Sequence, residues 1–152
     1  MSQRRFQRVT GRLLRAWNAR HAEATVLCAD DDENIRALCV AAVARAGYVA
    51  EIAADGREAL QKIRRRRYAA ILLDLGLPYL HGATLVSVIA KEQPEILPRV
   101  IVITAAPEAV LVDLEGHVSA ILRKPIGFER LLEAISKCCG GDATVRRRPA
   151  TT

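Results

Sequence analysis

Five short runs of aliphatic residues constrain the fold of this 152-residue chain more than any other feature of its sequence. They lie at residues 25–29, 49–53, 69–73, 100–104 and 118–122. Strands that are apolar throughout, rather than alternating apolar with polar, are typical of a parallel sheet that is buried on both faces by helices. The runs therefore predict five buried strands in a single parallel sheet.

Amphipathic stretches with apolar residues at i, i+3 and i+4 separate these runs and predict helices. They cover residues 32–46, 56–66, 82–92, a short stretch after Pro107, and 128–138. Glycine or proline follows most of them, as expected at helix ends. Strands that alternate with helices, joined by right-handed crossovers, predict an α/β domain with a (βα)5 doubly wound, five-stranded parallel sheet over about residues 24–140.

Polar residues stand at the ends of four of the predicted strands. Asp30 and Asp31 follow the first strand, Asp74 follows the third, Thr104 ends the fourth, and Lys124 comes soon after the fifth. In doubly wound folds ligands bind outside the carboxyl ends of the strands, where the strand order reverses. We therefore expect these five side chains to share one site.

Three consecutive aspartates occur at residues 30–32, and they are not expected to act together. Asp32 is placed to cap the following helix, whose first N–H groups and positive dipole end favour a carboxylate. Asp30, Asp31 and Asp74 then remain as a cluster, in which two charges about 4 Å apart repel by about 4 kcal/mol at an effective dielectric of about 20. Such a cluster calls for a divalent cation, and oxygen ligands without His or Cys favour Mg²⁺.

Acceptance of a phosphoryl group is the chemistry that this set of residues suggests. A bound Mg²⁺ would lower the repulsion between Asp74 and an anionic phosphoryl donor. The hydroxyl of Thr104 and the ammonium of Lys124 would then hold the remaining phosphoryl oxygens.

These residues, in this order, resemble the receiver domain of response regulators in two-component systems. The matching stretches are VLCADD, LLDLGLPYLHG, VIVITA and LRKPI, and the resemblance extends over nearly all of residues 25–139. It implies a flavodoxin-like receiver fold and a signalling domain rather than an enzyme. At most, such a domain would phosphorylate itself from small donors with Mg²⁺ and remove its own phosphoryl group.

The resemblance also implies a role for each site residue. Asp74 would be phosphorylated by a sensor histidine kinase or a histidine phosphotransfer protein, and Lys124 would pair with the phosphoryl group. Asp31 and Asp74 would bind Mg²⁺ directly, Asp30 would bind it largely through water, and the backbone carbonyl of Gly76 would be a further ligand.

Two switch positions follow from the same resemblance. Thr104 would move to hydrogen-bond the phosphoryl group, and this movement would rearrange the face formed by the fourth helix, fifth strand and fifth helix, which binds a downstream protein target. The family usually has an aromatic residue three positions before the lysine, whereas Ile121 stands there in this chain. The sequence therefore departs from the family pattern at one of the two switch positions.

The two ends of the chain are basic and lie outside the predicted domain. Residues 1–24 contain six Arg and one Glu, and residues 141–152 contain three Arg and one Asp. We expect a basic extension at residues 1–23, either disordered or an amphipathic helix, the receiver at 24–140, and a disordered basic tail at 141–152. No apolar stretch is long enough to span a membrane and no signal peptide is evident, so we expect a cytoplasmic, stand-alone, single-domain protein.

Two other functions stay open at this stage. The basic ends and Ile121 favour a receiver-like interaction or nucleic-acid-binding module that works without phosphorylation. A Mg²⁺-dependent phosphohydrolase of the haloacid dehalogenase type would need D-x-D-x-[TV] after the first strand, but the chain has D-x-D-x-N at residues 30–34. Nucleic acid, reached through the basic ends, is the less favoured partner, and a homodimer is a further expectation.

Overall fold

The computed structural model describes residues 25–140, in which strands and helices alternate. The expectations for residues 1–23 and 141–152 lie outside the described residues. The strands are β1 (Thr25–Ala29), β2 (Val49–Ala53), β3 (Ala70–Asp74), β4 (Val100–Thr104) and β5 (Ala120–Arg123). The helices are α1 (Glu33–Arg45), α2 (Gly56–Arg65), α3 (Gly82–Glu92), α4 (Glu108–Leu111) and α5 (Phe128–Cys138), with a 3₁₀ helix at Pro94–Arg99.

The five strands form one parallel sheet in the order β2-β1-β3-β4-β5. The chain moves from β1 to β2 on one side and then crosses to β3 on the other, so the strand order reverses between β1 and β3. This confirms the predicted doubly wound α/β fold. The reversal places the carboxyl ends of β1 and β3 next to each other, which is where a ligand site is expected.

Two apolar layers cover the sheet. One layer packs α1 and α5 against one face, through residues such as Cys39, Val43 and Leu131. The other layer packs α2, α3 and α4 against the opposite face, through residues such as Ile63 and Leu85. Every residue of β1, β3 and β4 is buried. The three strands whose carboxyl ends position Asp30, Asp74 and Thr104 therefore lie at the centre of the domain.

The expectation that all five strands are buried on both faces is wrong for the two edge strands. In β2, Val49 is 60% exposed and Ile52 is 46% exposed, and in β5 only Leu122 is buried. The cause is position: an edge strand has a neighbour on one side only, and the helices cover it less completely. An apolar run predicts a strand but does not tell where in the sheet it lies.

Two strand boundaries also differ from the prediction. β3 is Ala70–Asp74 instead of residues 69–73, so Asp74 is the last residue of the strand and pairs in register with Ile103. β5 begins at Ala120 instead of residue 118. The N–H of Val118 still donates to the carbonyl of Leu114 in the preceding turn, and the N–H of Ser119 donates to the carbonyl of Val100 at the start of β4.

No helix among residues 25–140 is long and apolar enough to cross a membrane.

Candidate functional site

Asp30 lies directly after β1 and is held from several sides. Its backbone N–H donates to the carbonyl of Ala53 at 3.2 Å, and its own carbonyl accepts a hydrogen bond from Nη1 of Arg36 at 2.9 Å. Its Oδ1 accepts from the N–H of Asp32 at 2.9 Å, and the residue is only 3% exposed. Asp31, the next residue, is exposed, so the two neighbours present one buried and one accessible carboxylate.

Asp32 belongs to α1, as the sequence predicts. It is the N-cap residue, and its Oδ1 accepts hydrogen bonds from the N–H groups of Asn34 at 2.8 Å and Ile35 at 3.4 Å. These bonds satisfy two of the N–H groups that the first turn of a helix leaves without a partner. The triple aspartate is therefore divided between a helix cap and a site.

Asp74 ends β3 beside Asp30 and is 6% exposed. Its Oδ1 accepts a hydrogen bond from the N–H of Gly76 at 3.1 Å. One carboxylate oxygen from each of Asp30, Asp31 and Asp74 lies within 4.8 Å of the others. The structure thus brings together the three carboxylates that the sequence singled out.

Lys124 supplies the positive charge that faces these carboxylates. Its Nζ lies 2.9 Å from Oδ2 of Asp30 and 3.4 Å from Oδ2 of Asp74. Burial raises the pKa of Asp30, and although burial alone would lower the pKa of Lys124, the carboxylates of Asp30 and Asp74 raise it above its ordinary value. The lysine therefore stays protonated between two buried carboxyl groups.

Thr104 ends β4 at the same edge of the sheet and is 1% exposed. Its Oγ1 accepts a hydrogen bond from the N–H of Ala106 at 2.9 Å, and its carbonyl accepts from the N–H of Lys124 at 2.9 Å. The hydroxyl is thus tied to the loop that leads into α4.

Ile121 lies in β5 and is not one of the residues of the carboxylate group. It is half-buried in β5, pairs in register with Val102, and packs against the apolar layer that contains α2, α3 and α4.

Two glycines allow the loop after Asp74 to lie close to the starts of α2 and α3. A Cβ on Gly82 would lie 2.5 Å from Cα of Leu75, and a Cβ on Gly56 would lie 2.7 Å from the carbonyl carbon of Leu80. The N–H of Gly82 donates to the carbonyl of Leu75 at 3.0 Å, and that of Gly56 donates to Pro78 at 3.2 Å. The sequence analysis did not predict the contact of Gly56 with Leu80 or the hydrogen bond from Arg36 to Asp30. A glycine at the start of a helix was a signal for the contact of Gly56, whereas no sequence signal indicated the hydrogen bond of Arg36.

The carboxylates present fit a divalent cation with hard oxygen ligands. Oδ2 of Asp30 is buried, and the ammonium of Lys124 at 2.9 Å is the one positively charged group that faces it among the described residues. A buried oxygen of this kind, beside two further carboxylates, suits Mg²⁺, which takes a few protein oxygens and keeps several waters. The carbonyl of Gly76 as a further ligand stays a prediction.

Comparisons with known proteins find chains of similar sequence and fold. The family model described as "Response regulator receiver domain" matches residues 26–136. The receiver domain of the Francisella response regulator 1452 is 29% identical, with a TM-score of 0.68 over 76% of this chain and 96% of that one. The chemotaxis response regulator CheY4 of Vibrio cholerae is 31% identical, with a TM-score of 0.66 over 76% of this chain and 98% of that one.

A curated relative of greater length is also similar. The transcriptional regulatory protein GlrR of Escherichia coli is 31% identical over 134 residues, which are 86% of this chain but 28% of the relative. The chain therefore spans well under two thirds of that protein's length.

Proposed function

This chain belongs to the response regulator receiver domain family, and we propose that it accepts a phosphoryl group on Asp74 from a histidine kinase or a histidine phosphotransfer protein. Receiver domains of this family act in two-component signalling and are not enzymes in the ordinary sense. The observation that carries the proposal is the position of Asp74: a buried carboxylate at the end of β3, grouped with Asp30 and Asp31 and 3.4 Å from the ammonium of Lys124.

The two carboxylate oxygens of Asp74 have different roles in the proposed transfer. Oδ1 is held by the N–H of Gly76, so we assign Oδ2, which faces Lys124, as the nucleophile. Oδ2 forms a bond to phosphorus, the phosphorus–nitrogen bond of a phosphohistidine breaks, and the released imidazole takes up a proton. The product is an acyl phosphate on Asp74.

Mg²⁺ would neutralise negative charge on the transferred group. The residues that would hold it are Asp30, Asp31 and Asp74, together with the carbonyl of Gly76. Lys124 contributes the other positive charge: it exchanges part of its contact with the carboxylates for the new phosphoryl oxygens. Each charge-assisted hydrogen bond of this kind contributes about 1.5–3 kcal/mol. A few of them reach the roughly 5.5 kcal/mol needed to invert a 1:99 equilibrium between two conformations.

Thr104 connects the site to the rest of the domain. Its hydroxyl, now bonded to the N–H of Ala106, would turn to a phosphoryl oxygen, and the loop into α4 would follow. Val110 and Val112, in and just after α4, are 49% and 64% exposed and would contact a downstream protein target. Because Ile121 has no ring to turn inward, we propose that it repacks against Val102 instead.

We also propose that the protein acts in the cytoplasm.

Phosphorylation by a small donor tests the proposal directly. The full chain is incubated with acetyl phosphate and Mg²⁺, and its intact mass is measured. We expect a gain of one phosphoryl group, which disappears with a chelator or in Asp74→Asn. Asp32→Asn is the matched control, because Asp32 caps α1 and lies outside the cluster, and it should be labelled like the wild type.

Labelling that persists in Asp74→Asn would contradict the assignment of the acceptor. A complete lack of labelling by acetyl phosphate and by phosphorylated histidine donors would favour the other function, an interaction module that works without phosphorylation. Repeated turnover of small phosphate esters would instead indicate a phosphohydrolase.

A further inference from the structure

An open groove lies between α2 and the loop that joins β3 to α3. Its lining contains none of the three carboxylates of Asp30, Asp31 and Asp74, which we call the acidic cluster. Its volume is about 490 Å³. One wall is a single stripe of α2 at positions 57, 60, 61, 64 and 65, and the other wall is formed by Tyr79 and Leu80 of the loop. The spacing i, i+3, i+4, i+7, i+8 puts those α2 residues on one face of the helix. We call this surface the basic groove.

Tyr79 has a strained backbone conformation at the centre of a tight turn, which the N–H of Leu80 closes by donating to the carbonyl of Pro78 at 2.8 Å. Its side chain is 75% exposed, and its φ of +65° lies in the left-handed region that a bulky residue rarely adopts. The guanidinium of Arg57 lies 5.0 Å from the centre of its ring. The ring itself buries little surface, and backbone strain of this kind is often found at binding sites.

The loop that carries Tyr79 is anchored on both sides. The N–H of Gly56 donates to the carbonyl of Pro78, and the N–H of Gly82 donates to that of Leu75. The ring is therefore held at a defined position above α2.

The lining of the basic groove is positively charged, and no acidic residue in the lining neutralises this charge. Its lining residues include Arg57, Arg64 and Arg65 and no acidic residue. Arg64 is bound to Glu92, with Nε 2.9 Å from Oε2, but within residues 25–140 no carboxylate forms an ion pair with Arg57 or Arg65. Since both ends of the chain are themselves rich in arginine, they would be repelled, so the occupant is a different molecule that carries negative charge.

We propose that the basic groove binds an acidic amphipathic helix of a partner protein. Arg57 and Arg65 are eight positions apart on α2, which at 1.5 Å per residue is about 12 Å. Two carboxylates two turns apart on a partner helix match that spacing. Apolar residues between them would pack on Leu60, Tyr79 and Leu80, in the manner of helix-in-groove recognition.

A partner protein is favoured over nucleic acid by the make-up of the groove. Proteins that bind duplex DNA neutralise many phosphates with Lys and Arg, whereas only two guanidinium groups here lack a carboxylate partner. The apolar wall of Leu60, Tyr79 and Leu80 instead suits apolar side chains. Binding in the groove uses none of the carboxylates of the acidic cluster, so it does not depend on phosphorylation of Asp74.

Fluorescence anisotropy with a designed peptide tests the proposal on the full chain. The probe is a dye-labelled synthetic helix with two glutamates two turns apart and leucines between them. The double variant Arg57→Gln, Arg65→Gln should lower its affinity at least about tenfold. The control Arg45→Gln, Arg130→Gln removes the same charge from exposed positions on α1 and α5 and should keep the affinity within about twofold. Asp74→Asn should bind the peptide like the wild type.

Tyr79→Gly separates binding from folding. Glycine accepts a left-handed φ without strain, so the melting temperature should be equal to or higher than that of the wild type. The loss of the ring should nevertheless lower the affinity for the peptide about fivefold.

Three outcomes would overturn the proposal. The first is no binding of the peptide by the wild type, and the second is an equal loss of affinity in both double variants, which would assign binding to the overall positive charge. The third is tighter binding of a poly-dT oligonucleotide that the Arg57, Arg65 variant loses, which would make the groove a nucleic-acid surface. A fall in stability without a fall in affinity for Tyr79→Gly would refute the role of the ring.

Discussion

Replacement of Gly82 by alanine tests how closely α3 packs against the strand end that carries Asp74. The new Cβ would lie 2.5 Å from Cα of Leu75 and 3.0 Å from the carbonyl carbon of Asp74. Carbon atoms in contact are normally about 3.5–4.0 Å apart. The start of α3 must therefore move away by about 1 Å, which also weakens the hydrogen bond from the N–H of Gly82 to the carbonyl of Leu75 at 3.0 Å.

The cost can be worked out from three terms. Overpacking of this kind costs about 1–3 kcal/mol, and a weakened backbone hydrogen bond costs up to about 1 kcal/mol. The lower chain entropy of alanine in the unfolded state returns about 0.4–1 kcal/mol. We expect Gly82→Ala to lower the free energy of unfolding by about 2 kcal/mol, which for a domain of this size lowers the melting temperature by about 6–10 °C.

Urea and thermal unfolding of the full chain, followed by circular dichroism, measure this effect. Gly127→Ala is the matched control, because its Cβ meets nothing within 4 Å and its φ is −83°; it should change the free energy of unfolding by no more than about 0.5 kcal/mol. Gly76→Ala places a Cβ 3.5 Å from Oδ2 of Asp74, an ordinary contact, and should also fold normally. If Gly82→Ala unfolds at the same urea concentration as Gly127→Ala, the steric argument is refuted.

Three further predictions concern single side chains. Asp31→Ala should weaken Mg²⁺ binding at least about tenfold without loss of stability. Asp32→Ala should instead lower the free energy of unfolding by about 1 kcal/mol, because the helix cap is lost, and should keep its affinity for Mg²⁺. Equal losses of Mg²⁺ affinity in a metal titration would show that the roles of the two aspartates are assigned wrongly. Lys124→Met should lower the free energy of unfolding at pH 7 by about 3 kcal/mol, the lower end of the range for breaking a buried ion pair, because two buried carboxylates lose their counter-charge while the lysine is itself 20% exposed. Millimolar Mg²⁺ should restore part of this stability in urea titrations, and the absence of any Mg²⁺ effect would contradict this reasoning. Finally, the side chain of Cys139 lowers the pKa of Cys138 to about 7. Because the thiolate is the nucleophile, the rate of alkylation of Cys138 by iodoacetamide should increase with pH, and the midpoint of this increase should lie near that value. A midpoint at the ordinary thiol pKa, or a midpoint that is unchanged in Cys139→Ala, would argue against this.

Local rules explain why many predicted elements agree with the structure. Helix α5 spans Phe128–Cys138, and α3 spans Gly82–Glu92, because glycine and proline at helix ends and the spacing of apolar residues act within a few residues of the chain. Asp32 is the clearest case: a carboxylate followed by an amphipathic stretch predicts an N-cap, and its Oδ1 accepts the expected N–H groups. Such features depend on neighbours in sequence and can be predicted from it.

Features that depend on distant segments could not be predicted in the same way. The exposure of Val49 in the edge strand follows from which strand pairs with β1, and the close approach of Gly56 to Leu80 follows from how α2 packs beside a loop that comes more than twenty residues later. The groove containing Tyr79 arises from the same approach. Neither periodicity nor capping rules encode distances between these segments.

The sequence alone determined the alternation of strands and helices, and it determined that the polar residues at strand ends gather at one edge, because parallel strands all end on the same side of their sheet. Only the tertiary structure decided that Nζ of Lys124 lies between Oδ2 of Asp30 and Oδ2 of Asp74, and that Asp30 is buried whereas Asp31 is exposed. The physical reason is that charge and burial act over a few ångströms in space, and the packing of helices on the sheet sets those distances.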